Sequence, residues 1–328
     1  MAQTVLDCWI SIQKKEKPLC FYLSWKDKKV SWPTEIPENS PWNCQTRFRY
    51  SKRTWNIELV CDVQSADEYP LFHTWASMLA LLKSHLQKCV RRGHESLSVW
   101  TAWVLQHLNM NEFLRRLPII ILEDVCLVEE FGIVVWMMMA HSKGWHPTRE
   151  MKAWLLGLTR SIAKTMYRDI SYNSVSKKDV PMLWQDVPVH LRPLILRKSF
   201  GGMKGDMVMI QSILHTWSKR KEIPPSLQIR MIHYIHYVHR ICPSEAEFAA
   251  ADFHCSPILQ EIAPRYSFSE DILRSAIWHG SSKQNKRDVF FIPEHLQEVW
   301  ELIKKDVYEF SKKYTREQFK KLRWIKCI

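Results

Sequence analysis

Apolar positions along this chain change rhythm near Pro70. Before it, two short runs, Leu19-Cys20-Phe21-Tyr22-Leu23 and Trp55-Asn56-Ile57-Glu58-Leu59-Val60, are rich in the aromatic and branched residues of β-strands. Between them Pro33, Pro37 and Pro41 mark a turn-rich stretch from Ser31 to Pro41. After Pro70 the spacing becomes three and four. Leu71, Trp75, Met78, Leu79, Leu82, Leu86 and Cys89 make one stripe of a helix over residues 71–90. Arg91 and Arg92 suit its C-terminus, and Gly93 stands where a C-cap belongs. A second helix is predicted over residues 96–108 and, after a turn at Asn109–Asn111, a third over residues 113–125. Pro118 lacks an amide proton and crowds the preceding turn, so the third helix is expected to start near Arg116 or to kink there.

Further helices are predicted over residues 131–142, 148–168, 206–221, 225–240, 269–277 and 293–323. Residues 171–205, with Pro181, Pro188, Pro193 and the Gly201-Gly202 pair, read as the longest connection. The expected fold class is mainly α: helical bundles with a small β-containing N-terminal unit. The expected organisation is a β-rich unit over residues 1–68, a collar-like helical domain over 69–180 and a C-terminal helical domain with a basic end over 181–328.

Composition narrows the classes of function. Only 8 of 328 residues are Gly, which argues against a glycine-rich nucleotide loop. The net charge of +13 favours a polyanionic partner, nucleic acid before an anionic membrane surface. Nine Cys at irregular spacings, with no CxxC, read as reduced intracellular thiols. The opening MAQTVLDCWISIQKKEK is too polar for a secretory signal, and the run from Phe131 to Ala140 is too short to span a bilayer. A soluble protein of the nucleus or cytoplasm is expected, with no membrane partner.

The stretch from Gln87 to Val125 carries the most specific pattern. It contains Gln87-Lys88-Cys89-Val90-Arg91-Arg92-Gly93, then Ser98-Val99-Trp100-Thr101-Ala102-Trp103. It closes with Leu114-Arg115-Arg116-Leu117-Pro118-Ile119-Ile120-Ile121-Leu122-Glu123-Asp124-Val125. This order resembles the C-terminal helical domain, a collar for oligomerisation, of clamp-loader-like AAA+ ATPases of the MgsA/RarA family. The resemblance covers residues 72–170 and implies an all-helical platform for self-association or for a partner ATPase in DNA replication or repair. It does not imply ATP hydrolysis, because the chain has no GxxxxGK[ST] loop. Val125-Cys126 and Leu122 also depart from the family pattern. The arrangement has the flavour of proteins of large DNA viruses as well.

Charges set this deep in apolar helices must be paired or must reach a wet surface. Eight residues separate Arg115-Arg116 from Glu123-Asp124, too far to pair along one helix. The acids are expected to meet neighbouring helices, with Arg91 or Arg92 as partners, as an ion-pair network or an oligomer interface. The candidate phosphate contacts are Lys283, Lys286 and Arg287 in the loop after Trp278, and Lys312, Lys313, Lys320, Lys321 and Arg323 near the end. Lys198 to Lys204, KSFGGMK, has the look of an anion nest without the order of a phosphate loop, and reads as a surface loop. His233, His236 and His239 step by three and fan around a helix, so no metal is assigned, and no cofactor or catalytic residue either. The expectation is a non-enzymatic nucleic-acid-associated scaffold or adaptor for DNA replication, recombination or repair. The alternative is a protein-interaction or structural component whose Trp-rich surface is its interface.

Overall fold

The computed structural model describes residues 17–67, 76–174, 182–220, 233–236 and 256–321. The chain is mainly α with a small N-terminal sheet. Strands β1 (Leu19–Ser24), β2 (Lys29–Ser31), β3 (Trp42–Tyr50) and β4 (Arg53–Cys61) lie in the order β2-β1-β4-β3. β1 runs parallel to β4 with Leu19 opposite Ile57, and the other two pairings are antiparallel. β3 was not expected. Its hairpin turns through Ser51 and Lys52, at φ of 48° and 63°, without the Gly or Asn that normally advertises such a turn.

The helices are α1 (Ala76–Arg92), α2 (Glu95–Leu108), α3 (Met110–Asp124), α4 (Phe131–His141) and α5 (Arg149–Lys164). After them come α6 (Arg192–Ser199), α7 (Lys204–Ser218), α8 (Ser256–Ile262), α9 (Glu270–Ile277) and α10 (Glu294–Lys320). α1 ends as its sequence predicts: Gly93 takes φ 77° and the His94 amide donates back to the Cys89 carbonyl at 2.8 Å. α3 does not start near Arg116, one of the two outcomes expected from Pro118. It begins at Met110, where the Asn109 side chain accepts from the Glu112 amide at 2.9 Å, and passes through Pro118 unbroken. Burial of Leu117, Pro118 and Ile119 to Leu122 outweighs the hydrogen bond that the proline cannot make. The supposed connection over residues 171–205 is likewise corrected, since α6 lies in it with Pro193 at its start, where a missing amide costs little. The predicted helix over residues 225–240 falls outside the described residues except at 233–236, and those four are not helical.

One apolar cluster joins the sheet, α1 to α5 and the segment from Trp184 to Trp217. This packing sets residues 184–217 with the units before them rather than with the C-terminal helices. α4 is buried from Phe131 to Ala140, and its Trp136 indole donates to the Phe21 carbonyl of β1 at 2.9 Å. Trp184 makes ring contacts with Trp32, Phe48, Tyr50 and Trp55. No tryptophan among the described residues is exposed, which corrects the expectation of a Trp-rich surface interface. A second, smaller cluster unites α8, α9 and α10 through Ile258, Leu273, Ile277, Trp300, Ile303 and Val307. α10 bridges the two, because Phe319 near its end packs on His85 and Trp100 at 4.9 and 5.2 Å between ring centres. Among the described residues no helix is long and apolar enough to cross a membrane.

Candidate nucleic-acid interface

α1 and α3 lie side by side, and their C-terminal ends hold the charges that the sequence singles out. Asp124 is fully buried and accepts from Arg91 Nε at 2.5 Å and from Gln87 Nε2 at 2.9 Å. Arg91, 6% exposed, also reaches Glu123 at 2.9 Å and the Ser282 carbonyl at 2.5 Å. Asn285 donates to the Asp124 backbone carbonyl at 3.1 Å. Arg91, Glu123 and Asp124 are therefore brought together inside the molecule, where each charge has partners that offset its desolvation. Arg92 turns the other way and donates to the Ser281 carbonyl at 2.8 Å. Arg115 and Arg116 stand further back along α3. Arg115 donates to the Phe200 carbonyl at 3.2 Å, and Arg116 bonds Gln87 and stands 3.9 Å from Asp206.

The segment that meets these helix ends is a turn of π-helix, Trp278–Ser282, and the loop after it. Gly280 is required there, because a Cβ would fall 2.1 Å from the Trp300 ring. The loop crosses the C-termini of α1 and α5, where carbonyls without helical partners gather and the helix dipoles favour a cation. Arg287 occupies that point. Its guanidinium donates to the carbonyls of Val90, Ile162, Ala163 and Thr165 at 3.1, 2.7, 3.2 and 2.7 Å. Arg287 is thus corrected from a phosphate contact to a structural clamp: its donors are spent on backbone. Sequence spacing could not show this, because the acceptors lie more than 120 residues away.

Lys286 lies partly over Gly93 and donates to the Lys164 carbonyl at 3.4 Å, while Lys283 is exposed. Burial, helped by the neighbouring Arg287, pushes the Lys286 ammonium below its ordinary range. Lys283, Lys286, Arg92 and His279 line a depression of about 380 Å³ together with Phe290 and Phe291. These two rings are 59% and 67% exposed, and Val289 beside them is 94% exposed. No reading of the sequence had marked this aromatic pair, although two adjacent phenylalanines after a basic loop are a visible signal.

Lys312, Lys313 and Lys320 are exposed on α10, Lys321 is exposed just past its end, and Arg323 falls outside the described residues. The buried face of α10 steps by four, through Val299, Ile303, Val307, Ser311, Thr315 and Phe319. His233 and His236 are exposed, His239 lies outside the described residues, and no cluster that could hold a metal ion occurs among the described residues. Set against family models, curated proteins and solved structures, the chain finds no match in any of the three comparisons.

Proposed function

We propose that this chain is a non-enzymatic, nucleic-acid-associated scaffold or adaptor that holds an unpaired strand, in the service of DNA replication, recombination or repair. One observation carries the reading: two bare phenylalanine rings share a depression with Lys283, Lys286 and Arg92. Rings open to solvent are platforms on which bases stack, each stack contributing about 1–3 kcal/mol, while the cations follow the phosphates. A duplex hides its base faces, so the surface favours a single strand. The net charge of +13 adds long-range attraction to the same partner.

The test is fluorescence anisotropy with a labelled single-stranded oligonucleotide and its duplex. Phe290→Ser with Phe291→Ser removes two such stacks and is expected to weaken strand binding by about 30-fold or more. Lys283→Gln should reduce the slope of log affinity against log salt by roughly 0.7, the share of one phosphate on a single strand. Absence of binding at about 50 mM salt, or indifference to the phenylalanine change, would sink the proposal. A second reading has an observation of its own. Val289 offers no stacking surface yet is the barest residue of the patch, which suits docking on a protein. Association with a second copy or with a partner ATPase through residues 72–170 belongs to the same proposal, and a monomer by light scattering at high concentration would count against self-association.

A further inference from the structure

We propose that the trough between α1 and α3 is a second binding site, which takes the terminal phosphates of a nucleoside di- or triphosphate. The trough encloses about 710 Å³ and shares no lining residue with the depression beside Phe290 and Phe291. That volume is ordinary for a small-molecule site. Seven lysines and arginines line it against three carboxylates. Two of the carboxylates are engaged by their own cations, Glu112 by Lys83 at 2.5 Å and Glu123 by Arg91 at 2.9 Å. Arg115, Arg116 and Arg197 then face the third, Asp206, which stands 3.9 Å from Arg116.

Arg197 is 3% exposed. Its two terminal nitrogens donate to the carbonyls of Gly201 and Arg115 at 2.9 and 3.0 Å, while its buried Nε has no acceptor, and neither has the Nε of Arg116. Burial first, and the Arg115 charge next, push the Arg197 guanidinium down to about 10. Three crowded guanidiniums against one carboxylate leave an excess of positive charge that an anion would offset, and planar forks match phosphate oxygens. The first turn of α7, which holds Gly205 and Asp206, also faces the trough and adds the positive end of a helix dipole.

Toward its other end the trough is lined by two aromatic side chains, Trp278 and Tyr172, among Arg91, Glu123 and Arg168. Trp278 opens the turn tied to Arg91, and Tyr172 lies by Arg168, whose Nε donates to the Glu123 carbonyl at 2.9 Å. From Arg116 to Glu123 is seven residues of helix, about 10 Å. This suits a nucleoside whose ring lies by Trp278 and Tyr172 and whose phosphates reach the arginines. A free nucleotide and the 5′-triphosphate end of a strand present the same chemistry.

Calorimetric titration of the full chain separates these sources. Its ligands are a nucleoside triphosphate, the bare nucleoside, inorganic tripolyphosphate, and one oligonucleotide with either a 5′-triphosphate or a 5′-hydroxyl. Saturable one-to-one binding of the nucleoside triphosphate is expected, with the nucleoside silent at the same concentration. A 5′-triphosphate oligonucleotide that binds at least tenfold tighter than its 5′-hydroxyl form identifies a strand end; binding of the free nucleotide alone identifies the small molecule. Arg115→Gln with Arg116→Gln should weaken binding at least tenfold. Gly205→Glu provides the control for folding: the space around a Cβ there is open and a glutamate suits the first turn of a helix. This variant should keep its melting temperature and lose tenfold or more in affinity. No binding of any triphosphate at millimolar concentration, or full affinity in Gly205→Glu, overturns the site. Tripolyphosphate that binds as tightly as the nucleotide overturns the nucleoside half.

Discussion

Asp124 shows how a single side chain in this protein commits its surroundings. With no exposure, it satisfies Arg91, Gln87 and Asn285 at once. Asp124→Ala takes one of its carboxylate partners from the buried Arg91 charge, and a loss of about 3–5 kcal/mol is expected in chemical denaturation. Pairing Arg91→Met with Asp124→Leu should recover part of that loss, because two apolar groups need no ionic partner. A double variant no more stable than Asp124→Ala would show that the network does not act as a unit. Glu130 makes the opposite kind of statement. Burial first, and then the neighbouring Glu129, raise its carboxyl to about 7, and its Oε2 is buried with no hydrogen-bond partner. The folded chain therefore holds a proton that the unfolded chain releases near pH 4.5. Stability from this group is complete below about 4.5 and falls as the pH climbs to about 7. Thermal melts should show Glu130→Gln nearly level across that window while the parent chain declines; parallel curves would refute the assignment.

At the level of elements, what the sequence reveals follows from which signals are local. The caps at Asn109, Thr148 and Ser269, the Gly93 terminator and the stripe of α1 all lie within a few residues of the structure that they determine. β3 and α6 were hidden for the converse reason. The turn at Ser51-Lys52 is imposed by strand pairing rather than by turn-forming residues, and Pro193 reads as a breaker until the position is known to be a helix start. Half of the candidate site was legible: the pairing of Arg91 with the two acids could be argued from burial cost alone. The clamp formed by Arg287 could not, since helix C-termini from α1 and α5 converge on it only in three dimensions. Arg287→Ala is expected to speed hydrogen exchange at the amides of residues 278–288 and to leave Lys283-dependent strand affinity within about twofold. Unchanged exchange would mean that the loop holds itself.

Over the whole molecule, the two apolar clusters meet along a polar seam. The larger is built on the sheet and α1 to α7, the smaller on α8 to α10, and the seam carries Arg91, Arg92, Asn285 and Arg287 between them. Among the described tryptophans, Trp32, Trp42, Trp136, Trp145 and Trp184 serve the joint between sheet and helices. The excess positive charge is left to surfaces such as α10 and to the two depressions on either side of the seam.

The way Arg91 is held also bears on how this chain can change over time. Its guanidinium answers to residues 123, 124 and 282, on two segments that are far apart along the chain. Drift at any one of these places strands a charge, so the permitted histories are those in which the sites move in concert. In a set of diverged copies, positions 91, 123 and 124 should covary, while neighbours that face solvent wander independently.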